Sequence, residues 1–396
     1  MKSVQNDMTV GSPMKMILSF TFPIFLGNVF QQFYNMADAV IVGKFVGTKA
    51  LAAVGSTGTI MFLIYGFVVG MTAGFTVLTA QKFGAGDMQG MRRTVAGAGI
   101  LSLLIGLFLT VTFMLFMKPL LHLMHTPSDI FADAYKYIMI ISGGILAQML
   151  YNLLSSILRA LGNSKIPLYF LIISALLNIV LDLVLIIVFQ MGAPGAAIAT
   201  VVAQGISGVL CLIYIMWKIP LLHLKKEDWH VGGQICAIQL KIGLPMALQY
   251  SITAIGTMMV QSALNILGST LVAAFTAASK IEQVVTQAYV AMGTTMATYG
   301  AQNYRSRKCT KNPSRFQGVY DFWYRLLSGS SNIYHDSRKI HDLSVCLRGC
   351  GYYHEFCGYL SEMYWTFLHS ACNCEYLQKW NSGTRLRTAA DDGRCC

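Results

Sequence analysis

From residue 14 to residue 299 the chain is a succession of apolar stretches, each long enough to cross a lipid bilayer. A hydrocarbon core needs about 20 apolar residues per helix. Eight candidate spans meet that length: 14–35, 50–78, 95–117, 132–158, 166–190, 193–217, 237–264 and 270–299. Inside lipid every backbone polar group must be satisfied within the segment, so such spans are helices. The expected fold class is an all-α polytopic membrane protein. Glycines recur within the spans (Gly66, Gly70, Gly74; Gly97, Gly99, Gly106; Gly143, Gly144). Small residues at this spacing let helices approach closely where lipid supplies no hydrophobic force between them. The first apolar run has no small-residue cleavage site after it and is expected to remain as a span.

Charge sets the orientation. Lys82, Arg92, Arg93, Arg159, Lys165, Lys218, Lys225, Lys226 and Lys241 fall on one side of the membrane. Lys44, Lys49, Lys118 and Lys136 fall on the other. An excess of Lys and Arg marks the cytoplasmic side, so the N-terminus and the even loops are expected there, in a bacterial-type plasma (inner) membrane. The net charge of +12 gives no argument for nucleic acid. Residues 1–304 hold 16 Lys/Arg against 9 Asp/Glu, a net +7, mostly in loops. The segment Lys218–Gln234 carries Lys225-Lys226 followed by Glu227-Asp228 and reads as a cytoplasmic linker.

The chain also repeats itself. Leu-Ser-Phe-Thr-Phe-Pro23 opens one copy and Leu-Lys-Ile-Gly-Leu-Pro245 the other. Gly47 with Ala52-Ala53 matches Gly268 with Ala273-Ala274, Ala80-Gln81 matches Ala301-Gln302, and Phe83 matches Tyr304, all at offsets of 221 or 222. Internal duplication of a helical bundle is a common plan of secondary transporters. The organisation expected is an N-terminal tail (1–13), a six-helix first lobe (14–217), a linker (218–236) and two helices of a second lobe (237–304).

The repeat stops at Tyr304, where the first copy predicts Gly-Ala-Gly and the chain has Arg305-Ser306-Arg307. The codons CGG-AGC-CGG, read from their second base, begin Gly-Ala-Gly. We read residues 305–396 as a tail out of frame, through a real frame change or a sequencing error. This tail holds eight of the ten cysteines. Their spacings (Cys346-x3-Cys350, Cys372-x-Cys374, Cys395-Cys396) lack the paired Cys-x2-Cys of a zinc module.

Ionisable residues inside a span are expensive and usually functional. Asp38 is expected at the outer end of the first span and Asp182 in the middle of the fifth. Asn178 lies four residues before Asp182, on the same helical face. An amide and a carboxylate in low dielectric make a site for a proton or a small cation; the competing readings are a solvated helix end for Asp38 and a structural contact for Asp182. Gln31, Asn35, Tyr137, Asn152 and Thr200 are supporting polar residues that could equally be interhelical glue. Pro23, mid-span, frees a carbonyl and is a static kink or a hinge. Lys280 and Glu282 read as a paired charge, and His122 and His125 as interfacial rather than metal-binding. There is no Gly-x4-Gly-Lys-Ser/Thr loop, so ATP is not the expected energy source. No catalytic cluster and no cofactor are expected.

The stretches Pro23-Ile24-Phe25-Leu26, Tyr34-Asn35-Met36-Ala37-Asp38, Gly47–Gly55, Ala80-Gln81-Lys82-Phe83-Gly84-Ala85-Gly86 and Arg159-Ala160-Leu161-Gly162-Asn163-Ser164-Lys165 resemble the multidrug and toxic compound extrusion (MATE) family. The resemblance covers residues 1–304. It implies a two-lobed helical exporter of cationic or amphiphilic compounds in exchange for H+ or Na+. It implies a cation site at Asp38, Asn178 and Asp182, with Tyr137, Asn152 and Thr200 around it and Pro23 as the bending point; the polar residues Gln31 and Asn35 are expected on the transport pathway. Some members also use a glutamate in the seventh span. Here that region reads Leu248-Gln249-Tyr250-Ser251, which favours coupling through the first lobe alone. The mechanism expected is alternating access, by a monomer whose partners are a small molecule and the bilayer. The alternatives are a lipid-linked oligosaccharide flippase of related fold, a membrane-embedded enzyme and a truncated, inactive transporter.

Overall fold

A computed structural model describes residues 8, 13–124, 126–266, 286–288 and 290–303. The N-terminal tail other than Met8, His125, Lys280, Glu282 and the tail 305–396 lie outside the described residues. The described elements are helical: α1 (Pro13–Phe45), α2 (Thr48–Gly84), α3 (Met88–Leu123), α4 (Phe131–Gly143), α5 (Ile145–Ala160), α6 (Lys165–Leu183), α7 (Ala193–Lys218) and α8 (Gly233–Ile266). A ninth helix, α9, covers 290–303. Six of these helices are long and apolar enough to cross a membrane, and the bent pair α4–α5 makes a seventh span.

Three boundaries differ from the sequence reading in ways that matter. First, α1 runs ten residues past the expected end, so Asp38 lies inside a continuous helix and not at its tip. Second, the fourth span is broken at Gly144 and turns by 46°. A Cβ at Gly144 would collide with Val201 of α7, so the small residue lets α7 press into the break. Third, α6 passes into a π-helical turn at Val184–Val188, directly after Asp182. A π turn admits one extra residue and re-aims the side chains beside it.

The glycine spacing in α2 has a clear use. A Cβ at Gly66 would lie 2.9 Å from Tyr250 Cβ, and one at Gly70 would lie 2.7 Å from Ala247 Cα. At Gly74 it would overlap the backbone of Gly243. One face of α2, stepped every four residues, therefore meets α8 backbone to backbone. Gln239 locks the same seam, donating to the carbonyls of Thr94 (2.8 Å) and Phe75 (3.3 Å).

Two helix pairings join the segments that the sequence repeat relates. Helix two of the first copy (α2) packs on helix one of the second (α8). Helix one of the first copy (α1) packs on helix two of the second (α9), through Ile17, Phe20, Ile24, Ala291, Met292 and Tyr299. Thr21 and Thr295 join them by a 2.9 Å hydroxyl hydrogen bond. The paired motif residues meet at the basic end. Gln302 donates to Ala160 O (2.7 Å), accepts from Met8 N (3.1 Å) and sets its own carbonyl against Gly84. At the opposite ends of the helices Gly55, Gly58 and Gly256 face open space.

The polar turns also follow from the residues. Gly86 takes φ +76° to reverse the chain, and Asp87 caps α3 by accepting from Gly90 N at 2.8 Å. The 218–236 segment is tied down. Asp228, 2% exposed, accepts from Lys225 N (2.9 Å) and from Arg92 Nε of α3 (3.0 Å). The Lys225 amide foremost, then Arg92, hold its carboxyl below the usual carboxylate range.

Candidate functional site

The helix packing brings Asp38 and Asp182 together from α1 and α6, which are far apart in sequence. Their carboxyl groups come within hydrogen-bond range of each other across the α1–α6 contact. Asp182 is fully buried and Asn178 is 1% exposed. With its amide turned so that both ends are satisfied, Asn178 donates to Asp182 Oδ2 (3.0 Å) and accepts from Thr200 N (3.2 Å). Tyr34, which the sequence reading did not single out, places its hydroxyl in range of Thr200. Tyr137 is buried close to both carboxyls, with its hydroxyl on Met61 Sδ at 3.5 Å. One oxygen of each carboxyl, Asp38 Oδ1 and Asp182 Oδ1, is buried without a hydrogen-bond partner among the described residues.

Two carboxylates side by side in low dielectric repel each other, and burial of Asp182 sharpens the cost. The arrangement is tolerable when a proton is shared between them or a cation sits on the open oxygens. Asn178 cannot neutralise the pair. It orients one carboxyl and leaves the far oxygens free.

Toward the basic end, a second polar neighbourhood follows. Gln31, Tyr34, Tyr65, Tyr151, Asn152 and Gln204 line a cavity with Ser174. Gln31 donates to the Tyr65 hydroxyl at 2.7 Å. Asn152 faces the cavity but donates to Gln148 O of its own helix at 2.8 Å. Asn35, by contrast, is exposed on the outer face of α1. Pro23 is buried about two turns of α1 below Gln31. The tyrosines and Gln204 were missed in the sequence because nothing local separates a cavity tyrosine from a core one. His122 stacks on Phe131 at 4.7 Å. Among the described residues no group of three or more His, Cys, Asp or Glu could hold a metal ion.

A multi-pass helical bundle with a polar cavity and a carboxyl pair held between two of its helices fits the class of membrane transporters, and the comparisons agree. The family model MatE matches residues 23–184. The "Probable multidrug resistance protein YpnP" of Bacillus subtilis is 32% identical over 300 residues, covering 75% of this chain and 66% of that protein. The "Probable multidrug resistance protein YoeA" of the same organism is 27% identical over 291 residues, covering 72% and 63%. The chain thus spans less than two thirds of the length of these curated relatives. The solved structure titled "Crystal structure of MATE in the straight conformation" superposes with a TM-score of 0.77 at 22% identity, over 97% of this chain and 83% of that one, which shows the shared fold. The chain belongs to the MATE family.

Proposed function

We propose that this chain is a cation-coupled exporter of amphiphilic organic compounds, working by alternating access with H+ or Na+ as coupling ion. The observation that carries it is the facing pair Asp38–Asp182 with its two open oxygens, buried beside the cavity of Gln31, Tyr65 and Asn152. Asp38, Asn178 and Asp182 hold the ion. Tyr137 and Thr200 complete its surroundings, and Pro23 is where α1 bends. The two lobes, 14–217 and 237–304, are joined by the linker 218–236, and the basic end faces the cytoplasm. The names of the relatives support the export reading, and the backbone contact of α2 with α8 supports a state closed at that end. The cavity lined by Gln31, Tyr65 and Asn152 opens the pathway along which a cargo passes, and no bond is made or broken in it.

Residues 305–396 follow from a change of reading frame after Tyr304, and full export belongs to the restored frame. Resequencing codons 295–315 tests that half: one base fewer at the junction returns Gly-Ala-Gly. The ion site is tested by Asp38→Asn and Asp182→Asn, in the chain as it stands and in the restored frame. Each variant reaches the membrane, loses 22Na+ binding or proton exchange, and abolishes export. Normal export by Asp38→Asn in the restored frame would remove this mechanism.

A further inference from the structure

Gln302 belongs to a repeated motif that the ion site leaves unused; its counterpart in the first copy is Gln81. It comes from α9 and is fully buried at the basic end. Its amide nitrogen donates to Ala160 O at 2.7 Å. Ala160 is the last residue of α5, where a helix leaves its carbonyls without intrahelical partners. Its amide oxygen accepts from Met8 N at 3.1 Å, and Asn303 completes the grip by donating to Met8 O at 3.1 Å. The Met8 side chain, also buried, packs with Ile17, Phe20 and Tyr299. The backbone of Gln302 lies against Gly84 at the end of α2, where a Cβ would overlap its carbonyl. Beside it Ala80, Ala160 and Ala301, one each from α2, α5 and α9, form a cluster of methyl groups.

The partners of Gln302 belong to the first copy, whereas α9 belongs to the second. Parting the copies at the basic end therefore breaks all of these contacts together. The alanines are too small to interlock, so the hydrogen bonds are the specific part of the hold. Two neutral hydrogen bonds are a modest hold, far easier to release than a buried charge pair. Once released at the membrane surface, the amide and the Ala160 carbonyl both meet water, and neither is left buried without a partner. At the opposite ends of the helices Gly55, Gly58 and Gly256 face open space. We propose that Gln302 is the latch of the basic end, a positioning residue that sets how readily the two copies part there. This rests on the alternating-access reading for the existence of a second state. The latch lies wholly before Arg305, so it is open to test in the chain as it stands.

Hydrogen–deuterium exchange of the full 396-residue chain in lipid nanodiscs reads the opening. Gln302→Leu keeps the bulk of the side chain and removes both bonds of its amide. It leaves Ala160 O buried and unpaired in the closed state only, so the penalty falls on closure. At about fivefold per bond, exchange at residues 156–164 and 296–303 should rise roughly thirtyfold. Gly84→Ala leaves the Gln302 side chain intact but pushes its backbone away, and exchange in the same segments should rise as well. In alternating access one end closes as the other opens, so exchange around Gly55 and Gly58 should fall. No rise at the basic end in Gln302→Leu would overturn the proposal. An equal rise at both ends would also overturn it, because Gln302 would then only stabilise the bundle. Should Gln302→Leu fail to insert, Gly84→Ala decides by the same two criteria. A rise confined to the basic end, with no fall at Gly55 and Gly58, would uphold the latch and count against alternating access.

Discussion

Gly70→Ala isolates the seam between the two copies with a single methyl group. The added Cβ would lie 2.7 Å from both Ala247 Cα and Met246 O of α8. Ordinary contacts begin near 3.4 Å, and the obstacles are backbone atoms that cannot rotate away. The two helices must therefore part by roughly 0.7–1 Å, or one must slide along the other. Overpacking of this kind costs about 1–3 kcal/mol. The cost falls on the state in which α2 and α8 touch, and is absent from any state in which the basic end has opened. A 2 kcal/mol penalty shifts such an equilibrium by about thirtyfold. Spin labels at the exposed residues Gln89 on α3 and Lys241 on α8 report the separation at that end. Pulsed dipolar spectroscopy should show a longer or bimodal distance in Gly70→Ala, while Gly58→Ala, which faces open space, should leave it unchanged. An unaltered distribution together with an unaltered melting temperature in Gly70→Ala would refute the backbone contact and the closed state built on it.

Other expectations are simpler. Asp228→Asn removes the anion that Lys225 N and Arg92 share, and should lower thermal stability by about 1–3 kcal/mol in detergent melts. Because folding holds this carboxyl below its ordinary range, its stabilisation is present above the unfolded value and is lost as pH falls through the folded one. The unmodified chain should lose part of its stability across that acid window, and Asp228→Asn should show a smaller loss there. Gly86→Ala places a side chain at φ +76° and should cost about 1 kcal/mol, seen as a lower melting temperature. Asn178→Leu should weaken ion binding at least tenfold while the protein still inserts, because Asp182 Oδ2 loses its donor. Unchanged binding in that variant would mean that Asn178 does not orient the carboxyl.

The apolar spans among the described residues, the repeat and the acidic residues were legible in the sequence because each has a one-dimensional signature. Hydropathy reveals a span, and a repeat is visible as a constant offset. An aspartate in an apolar helix is conspicuous by its cost. The spacing of Gly66, Gly70 and Gly74 announced a close approach but not its partner, since any helix could have been opposite. The facing of Asp38 and Asp182 was not readable from the residues alone: α1 and α6 are brought together by packing, and α1 extends beyond the apolar run that suggested its end. The break at Gly144 was hidden for the opposite reason. Two glycines in an apolar stretch look like a packing surface until Val201 is seen to occupy the gap. The exposure of Asn35 depends on the rotation of α1, which the polar residues Gln31, Asn35 and Asp38 leave ambiguous on their own.

The proposed ion site and the α2–α8 seam lie in different parts of the molecule, and α1 links the site to α9 beside that seam. Toward its C-terminus α1 supplies Asp38 to the carboxyl pair. Toward its N-terminus Ile17, Phe20 and Thr21 hold α9 of the second copy. The two are about 17–21 residues apart, roughly 25–30 Å along a helix. Pro23 lies between them, at the one position in this stretch that cannot donate its backbone N–H. Loading a proton or a cation onto Asp38 and Asp182 replaces repulsion by attraction and draws the upper part of α1 toward α6. The lower part is held by α9 and the Thr21–Thr295 hydrogen bond, so the strain of that movement concentrates where the helix has lost a bond. On this proposal α1 conveys the state of the ion site to the seam between the copies, and the second copy supplies the surface it works against.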